Sequence, residues 1–212
     1  MTKRQLQAIE TKKRINEGAI GIMSEQDYEK TTIAEICNAA GISMGHFYNY
    51  YKSKEELIEE RFASFNEFVE KVFSDLKFDS PWDNLRALVY ISAYKTKELG
   101  PQIMAQIFRV QLSVSNRLMT GDTSILHKIT KRLMQEAAAG EKLALGADKA
   151  ADYLLRETRG LIFDWTMRDG KYDIIEYSLA NLEIAIAFLQ KGKVIPIDNP
   201  VCKKMKKLTA GF

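Results

Sequence analysis

Helical periodicity runs through almost the whole chain with few interruptions, and no other feature narrows the fold as much. In 212 residues there are four prolines, Pro81, Pro101, Pro196 and Pro200, and the single Asp-Gly pair, Asp169-Gly170, separates two segments of helical period. No Asn-Gly or Asp-Gly turn lies between alternating apolar runs. A sheet therefore has no hairpin to start from, and the chain reads as all-α.

Punctuation divides it into about nine helices. The first covers about Lys3–Glu25, with Ile15, Ala19, Ile22 and Met23 as its inward stripe. Thr32 and Glu35 stand in Thr-x-x-Glu spacing, which lets each satisfy a free backbone N–H at a helix start. Gly41 is placed to end that short helix in a left-handed conformation. A third helix of about two turns follows Ser43. Ser53 and Glu56 repeat the capping box and open a long fourth helix whose stripe is Ile58, Phe62, Phe65, Val69, Val72 and Leu76. Ser80-Pro81-Trp82-Asp83 is another start, Gly100-Pro101 a stop and a restart, and Gly121-Asp122 a further separator. The last two helices run from about Ala147 to Asp169 and from about Tyr172 to Lys191.

The net charge of +3 is small but uneven: residues 1–54 carry eight basic and six acidic side chains, and residues 193–212 five basic and one acidic. Basic ends suit a polyanion without establishing one. Cys37 and Cys202 lie far apart in no metal-ligand spacing, as expected in a reducing cytoplasm. The longest apolar run, Ile184–Leu189, has six residues, against the ~20 that span a bilayer. Two histidines, His46 and His127, with no Cys/His cluster and no glycine-rich phosphate loop give no catalytic residue, cofactor or metal. An enzyme is therefore not expected.

Residues 31–57 read TTIAEICNAAGISMGHFYNYYKSKEEL. Ile33, Ile36 and Ala40 face inward on one short helix, and Phe47 and Tyr51 on the next. Two short helices joined by a tight turn containing glycine form a helix-turn-helix. Its second helix presents Met44, Gly45, His46, Tyr48 and Tyr50 outward, where a major groove would meet them.

At these residues the chain resembles the TetR family of repressors. The resemblance rests on Thr31-Thr32-Ile33, Ala39-Ala40-Gly41-Ile42-Ser43, Gly45, Phe47-Tyr48, Tyr50 and Lys52-Ser53-Lys54-Glu55-Glu56-Leu57. It covers about residues 10–58, with Met23 and Asp27 ahead of Tyr28, and Tyr51, as departures from the commoner pattern. The resemblance implies a DNA-binding surface of Thr32, Ser43, Met44, Gly45, His46, Tyr48, Tyr50 and Lys54. Thr32 and Lys54 would take phosphates. Met44, Gly45 and His46 would meet base edges, and Tyr48 and Tyr50 phosphates or thymine methyls. Lys3, Arg4, Lys12, Lys13 and Arg14 add non-specific phosphate contacts.

It also implies three regions: a DNA-binding domain over 1–54, an effector-binding and dimerisation domain over 55–192, and a basic tail over 193–212. Tyr94, Met104, Phe108, Leu112, Leu161 and Trp165 are the candidate lining of a pocket for a small apolar or aromatic effector. A stripe of this kind serves equally as core. Glu157 and Asp164 serve either as polar anchors in a cavity or as interfacial charges. The last helix is apolar on two sides: Ile175, Leu179, Leu182, Ile186 and Leu189 on one, Ile184 and Phe188 on the other. A helix apolar nearly all round must be covered all round, so the first set is the candidate homodimer interface. His127 reads as a mid-helix structural residue, Cys37 as a small core residue, and Lys203–Lys207 as a solvated tail. The expected function is a cytoplasmic, ligand-responsive repressor that binds a pseudo-palindromic operator as a homodimer. The competing reading is a helical small-molecule-binding protein whose DNA head no longer functions.

Overall fold

The computed structural model describes residues 2–26, 30–76, 78–113, 119 and 124–192. Asp27, Tyr28, the Gly121-Asp122 separator and the basic tail lie outside them. The described residues form eight helices: α1 Lys3–Glu25, α2 Ile33–Ala40, α3 Met44–Phe47, α4 Lys54–Ser74, α5 Pro81–Ser113, α6 Ile125–Gly140, α7 Ala147–Met167 and α8 Ile174–Lys191.

The expected nine become eight because α5 runs on across Gly100-Pro101. Gly100 itself is not helical, with φ 80° and ψ 159°, so α5 is two segments meeting at a kink. A left-handed φ of that size suits a residue without Cβ, and Pro101 then starts the second segment with no N–H to lose.

Side chains close most of the helix starts, at Thr32 and Ser53 where the sequence spacing predicts them and at others besides. Thr2, Thr32, Ser43, Ser53 and Ser124 each accept a backbone N–H from three residues on, and Asp173 accepts two, from Ile175 and Glu176. The Thr32–Glu35 box is reciprocal. At α4 it is not: Glu56 reaches past Ser53 and accepts from the Lys52 N–H, which ties the turn before α4 to the helix itself. Gly41 ends α2 at φ 64°, ψ 41°, and the Ile42 N–H bonds back to the Cys37 carbonyl at 3.0 Å. α3 has one helical turn instead of the expected two. Past Phe47 the chain closes as turns, with the Tyr50 and Tyr51 N–H groups both reaching the Phe47 carbonyl.

One hydrophobic core joins the head to the body. Ile15, Ala19 and Met23 of α1 meet Ile36, Cys37 and Ala40 of α2 and Phe47 beneath α3, and the same cluster continues through Leu57, Ile58, Phe62 and Phe65 of α4. α4 packs on α5, which in turn contacts α6, α7 and α8, while α7 lies between α6 and α8. The α4 stripe is buried at Ile58, Phe62, Phe65 and Val69, but its last buried member is Phe73 and not the expected Leu76, which lies beyond the helix end.

Candidate nucleic-acid interface and effector cavity

α3 is anchored from below and bare above. Phe47 is fully buried, and its ring meets Tyr48 edge-on at 5.7 Å and Tyr51 at 5.6 Å. On the outer side Met44 is 47% and Tyr48 51% exposed, His46 is exposed, and a Cβ on Gly45 would meet nothing within 4 Å. Tyr50 is only half-buried, its ring 5.5 Å from that of His46. Ser43 caps α3 by accepting the His46 N–H at 3.2 Å. The helix thus stands on one buried aromatic and turns its remaining side chains out.

Thr32 and Lys54 are committed within the protein. The Thr32 hydroxyl donates to Glu35 at 2.8 Å while accepting the Glu35 N–H. The Thr32 N–H and hydroxyl hold the Glu35 carboxyl below the usual glutamate range, so a carboxylate shares the α2 terminus with any incoming phosphate. Lys54 donates its ammonium to the Thr31 carbonyl at 2.9 Å, which braces the start of α4 against the start of α2. On α1, Lys12 pairs with Glu60 at 3.1 Å and Lys13 with Glu17 at 3.9 Å. Arg4 and Arg14 instead line an open groove with His46, Asn49 and Tyr50, and Glu10 is also on its wall. Asn49 was not foreseen; its place one turn after His46 was the available signal. The Tyr51 departure has a structural account, because its hydroxyl accepts from Asn16 at 3.0 Å, a bond phenylalanine lacks. Burial and the neighbouring Glu60 push that phenol well above its ordinary pKa.

Two cavities among the described residues flank α7. The first, about 40 Å³, is walled by Phe62 and Phe65 of α4, Leu99, Met104 and Ile107 of α5, and Ile162 of α7, with Thr96, Ser124 and Arg159 as polar members. The Thr96 hydroxyl is fully buried and has no hydrogen-bond partner. Arg159 makes one long bond, 3.3 Å, to the Met119 carbonyl, and burial lowers its pKa. The second, about 30 Å³, lies among α5, α7 and α8 beside Leu85, Leu182 and Ala185, with Glu157, Ser178 and Asn181 on its wall.

Residues 15–60 match the family model "Bacterial regulatory proteins, tetR family". That segment, the helix-turn-helix head, is of the tetR family of bacterial regulatory proteins. Among curated proteins the chain is similar to the fatty acid metabolism regulator protein of Bacillus subtilis (strain 168), at 26% identity over 184 residues covering 82% of this chain and 93% of that one. The HTH-type transcriptional regulator YhgD of the same organism is 27% identical over 171 residues, 78% of this chain and 90% of that one. Among solved structures, FadR from Bacillus subtilis in complex with stearoyl-CoA has a TM-score of 0.64 at 22% identity, covering 84% of this chain and 98% of that one. FadR from Thermus thermophilus in complex with lauroyl-CoA has a TM-score of 0.58 at 20% identity, covering 89% and 97%. At such identities these structures share the fold.

The candidate effector residues are not brought together in the body. Met104 lines the first cavity and Leu161 the second. Trp165 is buried in the core, its indole N–H donating to the Tyr172 carbonyl at 2.9 Å. Phe108 is half-buried, edge-on to Phe163 at 5.4 Å. Tyr94 and Leu112 are exposed, Leu112 at 74%. The cause is helical phase: each four-residue step overshoots a full turn by about 40°, so a stripe stepping 104, 108, 112 drifts off the buried face. The true inward set is Ile103, Met104, Ile107 and Val110.

On α8, Leu182, Ile186 and Leu189 belong to the protomer's own core and Ile175 and Leu179 are half-buried, whereas Tyr177 and Ile184 stand out at 50% and 69% exposure. The expected interface face is therefore mostly the face the protomer covers itself. Glu157 lines the second cavity, and Asp164 accepts from Tyr172 and pairs with Arg168. His127 sits in the first turn of α6, not mid-helix. Cys37 is buried, with its thiol pKa raised by that burial. No helix among the described residues is long and apolar enough to cross a membrane.

Proposed function

We propose that this regulator is a homodimeric repressor released from DNA by an acyl ligand. Two copies of α3 enter successive major grooves of a two-fold-related site, about 34–36 Å apart. Met44, Gly45 and His46 face base edges; Ser43, Tyr48 and Tyr50 face the backbone, with Thr32 and Lys54 at the adjoining helix starts. Arg4 and Arg14 add phosphate contacts from α1. The partner covers the α8 face that carries Tyr177 and Ile184. The protein acts by binding alone, in the cytoplasm where its DNA lies.

The observation that carries this reading is the position of α4. Its first turn is bound to the reading head through Lys54, which reaches the Thr31 carbonyl, and through the buried Leu57. Two turns further on, Phe62 and Phe65 wall the first cavity. A ligand that displaces these rings moves the helix on which the head rests. The solved FadR complexes hold stearoyl-CoA and lauroyl-CoA, and an apolar cavity wall suits a hydrocarbon chain, which narrows the expected small apolar or aromatic effector to its apolar form. A coupling of about 1–3 kcal/mol, roughly 5–150-fold in DNA affinity, suffices for a switch. The test is to titrate lauroyl-CoA into the preformed complex of protein and operator. Release in that range is expected, and DNA affinity indifferent to the ligand overturns the reading.

A further inference from the structure

Leu155 and Thr158, one turn of α7, line both cavities. We infer that the two cavities form one path for a linear acyl ligand with an anionic head, the head beside Arg159 and Thr96 and the chain threading past Leu155 towards α8. This rests on the effector reading above and adds the ligand's shape, its direction and the residue that measures its length.

Shape follows from connection. Two small spaces, about 40 Å³ and about 30 Å³, share the wall formed by Leu155 and Thr158, so a ligand that occupies both must be long and thin. A polymethylene chain needs length more than width. The barrier between them is also uneven. The Thr158 hydroxyl is fixed on the Leu154 carbonyl at 2.9 Å, whereas Leu155 is held by apolar contact alone and can change rotamer. Swinging that one side chain connects the two spaces.

Direction follows from the polar groups at each end. The first cavity offers donors: a buried Thr96 hydroxyl with no partner, and a half-buried guanidinium with one long bond to a neutral carbonyl. An unpaired buried polar group is costly and a charged one more so, so an anion or carbonyl oxygen arriving there relieves both. The second cavity has the Glu157 carboxylate on its wall, which repels an anion and leaves that end to the hydrocarbon tail.

The test is a displacement titration of the full chain with lauric and stearic acids and with lauroyl-CoA and stearoyl-CoA. Each further methylene buried multiplies affinity by about fourfold, so the C18 ligands are expected to bind the wild type at least ~10-fold more tightly than C12. Leu155→Trp plugs the constriction and Ala185→Leu fills the far cavity. Each is expected to bring the two lengths within about threefold while lauroyl binding persists. Arg159→Gln is expected to weaken both lengths equally; a loss seen with the acids identifies the head group as the carboxylate, and one confined to the thioesters as the coenzyme phosphates. A C18 preference that survives in either folded length variant, or is missing from the wild type, overturns the path. An unchanged Arg159→Gln overturns its direction. Failure of every acyl ligand to bind the wild type removes the effector reading itself, while DNA binding stands.

Discussion

Replacing Gly45 with alanine separates folding from reading. Gly45 lies in the single turn of α3, outside the left-handed region, and nothing stands within 4 Å of the position its Cβ would take. Alanine is accommodated there, and glycine to alanine inside a helix stabilises by about 0.5–1 kcal/mol. In a chain of this size that amounts to a rise in Tm of roughly 1–4 °C. The open space over Gly45 is, on the present account, where base edges come closest, so a methyl group holds α3 away from them. Loss of one good base contact costs about 1–3 kcal/mol, or roughly 5–150-fold in operator affinity. Binding to random-sequence DNA depends on phosphates and should barely change. Differential scanning fluorimetry and fluorescence anisotropy on operator and random duplexes measure the two effects side by side. A variant that melts at or above the wild-type temperature and still binds operator as the wild type does would refute the placement of Gly45 against DNA.

Four further outcomes follow from the head. Phe47→Ala empties a fully buried site beneath α3 and should cost about 3–5 kcal/mol in guanidinium unfolding; a loss under about 1 kcal/mol contradicts its anchoring role. Gly41→Ala leaves room for the Cβ, whose nearest neighbour is Arg14 Nη1 at 3.9 Å, so its cost is the left-handed backbone alone, about 1–2 kcal/mol by the same assay. Tyr48→Ala should weaken operator binding roughly 5–150-fold with stability changed by less than about 1 kcal/mol, and unchanged affinity would remove Tyr48 from the interface. The Thr32 bonds lower the folded-state pKa of Glu35, so its contribution is fully present above the ordinary glutamate range and is lost as pH falls through the lowered value. Glu35→Gln should therefore flatten part of the stability loss on acidification, which parallel pH-dependent melts of the two proteins would reveal.

Local chemistry made the head legible and left the body less so. Ile15, Ala19 and Met23 of the α1 stripe, the capping pair at Thr32, the Ser53 cap and the left-handed Gly41 depend on residues within a few positions of one another, and the fold keeps them, while Ile22 is only half-buried and Glu56 turns to Lys52. Phe47 and Tyr51 point inward as their spacing predicts. Body features depend on which elements meet, and periodicity does not settle that. The face of α8 carrying Leu182, Ile186 and Leu189 is as apolar as the one carrying Ile184, and the sequence alone does not say which of them α5 and α7 cover. Met104, Phe108 and Leu112 satisfy a four-residue step, but only the first remains inward over that length of helix. Thr96 and Arg159 carry no local sign of a cavity; a hydroxyl at the spacing Ser92-Thr96 within an apolar stripe was the faint one available. Lys54, expected to hold a phosphate at the fourth helix's start, has the Thr31 carbonyl as its partner within the protein.

The most direct measurement is a titration of the full chain against a promoter fragment from its own locus and a random duplex of equal length, at one salt concentration. If the outward side chains of α3 read the grooves, the promoter should bind at least ~10³-fold more tightly. His46→Ala or Tyr48→Ala should erode that ratio while leaving the random duplex nearly unaffected. Equal affinity for both duplexes, or a preference that survives both substitutions, would place the reading surface elsewhere.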